Sequence, residues 1–425
     1  MHACARIAAI LVTAASAAVP VFADENVDDA SRIPFADAAK KEWLAKQKRL
    51  WQLTRPEVED LLKEVHRRFP DPAERFRAIH TLRVGTPYAI FCAGEESPVD
   101  PDPVFRIDTT DCVLSVMTTI CMTETPDLDL AREVMGPLMY YPDPKDPTRY
   151  PFDFFNRIHD TWDWGTKSPY YRDISGKVAG DKLLKRKTKV WGPGVQTYET
   201  TVSTVPTSLL TPEFMAKLPP LVVIGLCPDG TYASHVGVIL DGKLFVHATT
   251  MDVYRMIIQD AIPALTRKNS SGKPRTESLM MFEIQWKKTP LPARPVAAAA
   301  PAPSDEPAKL AAAAAAAKAD GKVWEEYAAL RDLTDRHPRC PESAAAVARI
   351  HVLEDDPATG PAVVEGRKAR HRIELLDRAK TCEASAKQGN RLGLGHAKVV
   401  YHELITKFPD SAEAKEAGAR LKAMN

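Results

Sequence analysis

Three residues have the types and positions for nucleophilic chemistry: Cys112, His235 and His247. Cys112 follows Thr109-Thr110-Asp111 and opens an apolar run, TTDCVLSVMTTICM (109–122). That run predicts a helix with Thr109, Thr110 or Asp111 as its N-cap. A cysteine in a helix's first turn lies among unpaired backbone N–H groups at the positive end of the dipole. Its pKa is therefore expected to fall and its thiolate to become accessible. A neighbouring imidazole deepens the effect, and a third polar group can orient that imidazole. Cys121, in the middle of the same apolar stretch, reads as an inert core residue.

The two histidines belong to SHVGVILDGKLFVHATT (234–250). The segment predicts two antiparallel strands joined at Asp241-Gly242-Lys243. In that register Leu240 faces Leu244 and Gly237 faces His247. Side chains alternate along a strand, so His235, Gly237, Ile239, Phe245, His247 and Thr249 share one face. Val236, Val238, Leu240, Leu244, Val246 and Ala248 form the other, an apolar core face. Gly237 removes the side chain that would crowd His247, and the two imidazoles become diagonal neighbours. A two-residue loop would instead put them on opposite faces. Taken singly, each histidine is more often a satisfied core residue; the helix-start cysteine is what favours chemistry.

These motifs carry a resemblance. A cysteine after Asp at a helix start, followed by H-V-G on one strand and F-V-H-A on the next, resembles the NlpC-type papain-like cell-wall cysteine peptidases. GTPY (85–88) ahead of the cysteine and an aromatic-basic insertion, FFNRIHDTWDW (154–164), are similar to one branch, the bacterial N-acetylmuramoyl-L-alanine amidase-like family. The resemblance covers roughly 50–290. It departs after the cysteine, where Val-Leu-Ser stands in place of the usual Ser-Gly-Phe or Thr-Phe-Val. It implies an α+β fold, with the cysteine helix packed on an antiparallel sheet. It also implies Cys112 as nucleophile, His235 as base and His247 as orienter, with Tyr88 beside the nucleophile. Trp162 and Trp164, with His159, are candidates to line a substrate groove; packing of a long excursion is the competing reading.

The expected activity is a thiol hydrolase cleaving an amide of peptidoglycan stem peptides, without a cofactor. The bond would be D-glutamyl to diamino acid, or muramoyl to L-alanine. Two other readings stay open. Cys112, His235 and His247 could be zinc ligands of a hydrolase with an open fourth position. Alternatively, the protein could be a non-catalytic cell-envelope scaffold.

The elements that must position these residues sit within 425 residues, too many for one compact core. The formal net charge of +1 gives no reason to expect nucleic acid as a partner. Residues 1–23 read as a signal peptide cleaved after Ala23, with no later membrane span. A secreted or periplasmic protein follows. Residues 24–82 are helical in pattern and lead into a hydrolase domain over 83–289. Within it, 140–200 reads as long connections with short strands, followed by strands at LVVIGLC (221–227) and MMFEIQW (280–286). A Pro/Ala-rich linker spans 290–320, its poly-Ala run starting a helix. Residues 321–425 are helical and resemble tetratricopeptide-type repeats, with a generic helical bundle as the competing reading, and are a candidate dock for a protein partner. Of seven cysteines, Cys4 leaves with the signal; Cys340 and Cys382 are expected to pair.

Overall fold

The computed structural model describes residues 29–90, 92, 104–249, 255–286, 305–387 and 393–424. The expected signal peptide and residues 290–304 of the expected linker lie outside the described residues. The chain divides into two compact units. Among the described residues, one lies within 29–52 and 62–286; the other lies within 53–61 and 305–424.

The first unit is α+β. Its helices are α1 (Ala38–Ala45), the C-terminal half of α2 (Arg55–Arg68), α3 (Pro72–Arg83), α4 (Cys112–Glu124), α5 (Leu128–Met139) and α6 (Thr161–Lys167). Short aspartates start most of them. Asp37, Asp71, Asp111, Asp127 and Asp160 each accept a backbone N–H from the first turn of α1, α3, α4, α5 and α6.

The sheet has strands β1 (Tyr171–Asp173), β2 (Leu184–Trp191), β3 (Thr197–Pro206), β4 (Leu221–Cys227), β5 (His235–Leu240), β6 (Leu244–Thr249), β7 (Arg255–Asp260) and β8 (Ser278–Ile284). Their order is β2-β3-β8-β4-β5-β6-β7, with β1 also paired to β8, and the pairings are antiparallel. The stretch 140–200 is more regular than expected. β2 and β3 form a hairpin of 8- and 10-residue strands in which Thr188 faces Thr200. Its alternation of Lys and Thr hides the strand signal, because only Val190, Val202, Thr204 and Val205 are buried.

The β5–β6 register is the expected one: Leu240 pairs with Leu244 and Val238 with Val246. Asp241 (φ 51°) and Gly242 (φ 64°) make the turn in left-handed backbone. Arg77 of α3 clamps it, with Nη2 donating to Asp241 Oδ1 at 2.6 Å and to Pro220 O at 3.0 Å. The histidine-bearing face is largely closed to water, with His235 at its edge half-buried. Ile239 and Phe245 lie in a core cluster with Val222, Ile224, Leu279 and Met281, covered by Met215, Leu218 and Leu265. Helix α4 packs on β5 and β6.

The second unit is helical: α7 (Glu306–Ala319), α8 (Val323–Arg336), α9 (Pro341–Asp355), α10 (Gly360–Lys387), α11 (Gly393–Lys407) and α12 (Ala412–Ala423). Consecutive helices pack on one another, and Tyr327, Leu330, Leu333, Ile350, Leu353 and Val363 form a core. Helix α7 reaches back to Glu306, so much of the expected linker is helix. Cys340 and Cys382 do not pair; neither is in a disulfide. Cys340 is the N-cap position of α9 and packs beside the core of α7 to α9. Cys382 is buried in α10, where its carbonyl would lie 2.4 Å from a Cβ added at Gly393. The two thiols serve different helix contacts.

Candidate active site

Cys112 is the first residue of α4. Asp111 is the cap: its Oδ1 accepts from Leu114 N at 2.8 Å. The carboxylate therefore occupies the Leu114 N–H. The backbone N–H groups of Val236, Val113 and Cys112 are left to stabilise the sulfur and pull its pKa down. Burial works the other way and wins, helped by the Asp111 charge, so the thiol is pushed up to about 12. The sequence-based expectation of a lowered pKa is thus corrected. The helix-end donors act as anticipated, but the loss of water around the sulfur outweighs them.

The Val236 N–H places the sulfur at the start of β5, the strand that begins at His235. His235 Nε2 lies 2.7 Å from His247 Nδ1, with the rings perpendicular. His247 Nε2 lies 3.2 Å from Gln259 Oε1 on β7. Burial lowers the pKa of both imidazoles, that of His235 to about 4, and the site rests with neutral rings. Phe245 stacks on His247 with ring centroids 4.2 Å apart and planes at 15°, fixing the ring plane. A Cβ at Gly237 would lie 2.8 Å from His247 Cβ and 2.5 Å from Phe245 Cε2, so only glycine fits opposite His247.

The zinc arrangement is not formed. Among the described residues, no group of three or more His, Cys, Asp or Glu could hold a metal ion. The physical reason is that the facing nitrogens of His235 and His247 bond to each other and cannot converge on one ion.

The other candidates are placed as follows. Tyr88 is buried, and its backbone pairs in parallel with Thr110, two residues before Cys112. Ala89 N donates to Thr110 O at 2.9 Å. Trp162 and Trp164 lie on α6 and are 9% and 5% exposed. Trp164 Nε1 donates to Ile158 O at 2.8 Å. Between them Asp163 takes the hydroxyls of Tyr141 and Tyr198, so the insertion is internally tied and both indoles are packed. His159 Nε2 is likewise occupied, by Phe154 O at 2.9 Å.

Solved structures resemble part of the chain. One is a Legionella pneumophila protein of the DUF1460 family, 16% identical, with a TM-score of 0.43; the match covers 54% of this chain and 94% of that one. Another is an N-acetylmuramoyl-L-alanine amidase from Bacteroides uniformis, 17% identical, with a TM-score of 0.37; it covers 48% of this chain and 95% of that one. No family model matches the sequence, and no curated protein does.

Sequence reasoning missed Gln259 and the buried Arg83. Gln259 had a signal: positions 235, 247 and 259 repeat at the same interval on three successive strands. Arg83 had none, since a cationic residue near a helix end ordinarily points to water. Here it is fully buried. Its Nη1 donates to Leu114 O (3.1 Å), Ser115 O (2.9 Å) and Thr119 Oγ1 (2.9 Å), and its Nη2 to Thr110 Oγ1 (3.3 Å). It holds the start of α4 to α3.

Proposed function

We propose that the protein is an exported thiol hydrolase with a papain-like, NlpC-type catalytic domain, cleaving an amide bond of peptidoglycan stem peptides. The observation that carries the reading is the 2.7 Å bond between His235 and His247, with Cys112 at the start of the helix that packs on their two strands. With its Nε2 engaged by His247, His235 has Nδ1 left to take a proton. The resting pair is a neutral thiol and a neutral imidazole. The thiol proton therefore passes to His235 as sulfur attacks the carbonyl carbon, rather than beforehand. The Cys112 backbone N–H stabilises the oxyanion. The C–N bond then breaks and His235 returns the proton to the leaving amine. Water, deprotonated by His235, cleaves the thioester to release the acid and regenerate the thiol. His247 holds the base in place throughout. In the same reading the signal directs the chain to the periplasm or outside the cell, and the C-terminal helices, repeat-like in pattern, dock a protein partner.

The experiment is digestion of purified muropeptides followed by mass spectrometry. A free lactyl-muramic product identifies the muramoyl–L-alanine bond, and a released diamino-acid fragment identifies the D-glutamyl bond. Cys112→Ala should abolish both without unfolding the chain. Iodoacetamide should reach Cys112 ahead of Cys92, Cys121 and Cys227, which are buried. Undiminished hydrolysis by Cys112→Ala would overturn the proposal.

A further inference from the structure

We propose that Gln259 is a positioning residue that sets the direction of proton transfer at Cys112, by holding His247 in the tautomer with its proton on Nε2. The inference rests on the thiol-hydrolase reading above and extends it to a side chain outside the Cys–His–His set.

The three strands present their polar side chains as a diagonal. Phe245 pairs with Gln259 and His247 with Ile257, so Gln259 sits on the same face as His247, one step along the neighbouring strand. Gln259 Oε1 can only accept, so the 3.2 Å contact requires the proton on His247 Nε2. His247 Nδ1 then has a lone pair and can only accept from His235 Nε2, 2.7 Å away. His235 in turn carries its proton on Nε2, which leaves Nδ1 bare for the thiol proton. Each link fixes the next, from an amide oxygen on β7 to the base on β5.

Reversing one link reverses them all. If His247 carried its proton on Nδ1, it would donate to His235 Nε2. The His235 proton would then sit on Nδ1, and the nitrogen left for the thiol could not accept. Among the described residues, the other neighbours of His247 offer its ring no side-chain hydrogen bond. Phe245 offers a ring face, Ile257 an alkyl chain and Gly237 no side chain. The charged groups in electrostatic reach, Arg267 and a protonated His235, both disfavour an imidazolium at His247, so the ring stays neutral and must adopt one tautomer or the other. An amide suits the end of this chain of bonds because it cannot take a proton itself. The proton gained at His235 is therefore kept for the leaving amine.

The test uses the full-length protein with Gln259→Met, which keeps the side-chain length and removes the oxygen, and Gln259→Glu, which keeps an acceptor. Two readouts need no substrate: side-chain 15N shifts of the histidines, and the rate of iodoacetamide alkylation at Cys112 at pH 7. The wild type should show His247 protonated on Nε2. Gln259→Met should lose that single tautomer and alkylate about tenfold more slowly, the factor that one ordinary hydrogen bond supplies. Gln259→Glu should restore both. The inference is overturned if the wild type shows His247 protonated on Nδ1. It is also overturned if Gln259→Met alkylates at the wild-type rate, or if Gln259→Glu is as slow as Gln259→Met. Should Gln259→Met not fold, the wild-type spectrum and Gln259→Glu still decide. Failure of the hydrolase reading appears elsewhere, as hydrolysis surviving in Cys112→Ala.

Discussion

Replacing Gly237 by alanine is the smallest change that should disable the site from a residue with no chemistry of its own. The new Cβ would stand 2.5 Å from Phe245 Cε2, 2.9 Å from its Cζ and 2.8 Å from His247 Cβ. Carbon atoms rest comfortably at about 3.5–4.0 Å, so the Phe245 ring must retreat by roughly 1 Å. That ring is stacked on His247, and the displacement passes to the imidazole. A shift of this size stretches the 2.7 Å His235–His247 bond beyond hydrogen-bonding range. Overpacking of this kind costs about 1–3 kcal/mol of stability. Misplacing a catalytic group by about 1 Å costs on the order of a hundredfold in rate. The assay is kcat/KM on one muropeptide, beside denaturant unfolding. Shortening the ring should relieve the clash, so Gly237→Ala with Phe245→Leu should recover part of what Gly237→Ala loses, a coupling of about 0.5–3 kcal/mol. Gly237→Ala with near wild-type kcat/KM, or strict additivity in the double variant, would refute this chain of contacts.

Three further outcomes are expected. His247→Asn should keep more activity than His247→Ala, because an amide oxygen can still accept from His235 Nε2. His247→Ala should lose about two to four powers of ten and His235→Asn should be inactive, as read from kcat/KM of folded variants. Arg83→Met should destabilise the first unit by about 3–5 kcal/mol in urea unfolding, since it strands the acceptors at Leu114, Ser115 and Thr110 and loosens α4. Acid should unfold the protein earlier than its carboxylates alone would dictate. His66, which donates to Met122 O at 2.8 Å, and His235 are both held to about 4 by burial, below the usual 6.5. The unfolded chain binds these protons first. Stability is therefore whole above about pH 6.5 and falls as pH drops toward 4, by up to about 3 kcal/mol for each ring, measured as a urea midpoint against pH.

The site was legible where local rules decide geometry. Asp-Gly at 241–242 sets the turn, the turn sets the register, and the register puts His235 and His247 on one face. Asp111 before an apolar run announces the helix that begins at Cys112. What stayed hidden depends on packing between distant segments. Whether the thiol is raised or lowered turns on how much water reaches it, and no spacing encodes that. Gln259 looks like an ordinary polar residue until β7 is laid beside β6. The burial of Trp162 and Trp164 was not legible either, because a tryptophan's partners are invisible in sequence; the fold leaves them 9% and 5% exposed. The Cys340–Cys382 pairing failed for the same reason, since helix neighbours had to be guessed.

β8 is the last strand of the sheet in chain order, yet it lies in the interior between β3 and β4. Its partners are far behind it: Glu283 pairs with Arg172 and Phe282 with Val223. A growing chain therefore cannot close the sheet until residue 284 has emerged from the ribosome. Until then β3 and β4 present open edges that invite foreign pairing. Folding should wait on this one long-range insertion and be slow for its size. Truncation before Ser278 should yield aggregates rather than a smaller folded protein. Most of the first unit is thus synthesised before its sheet can close.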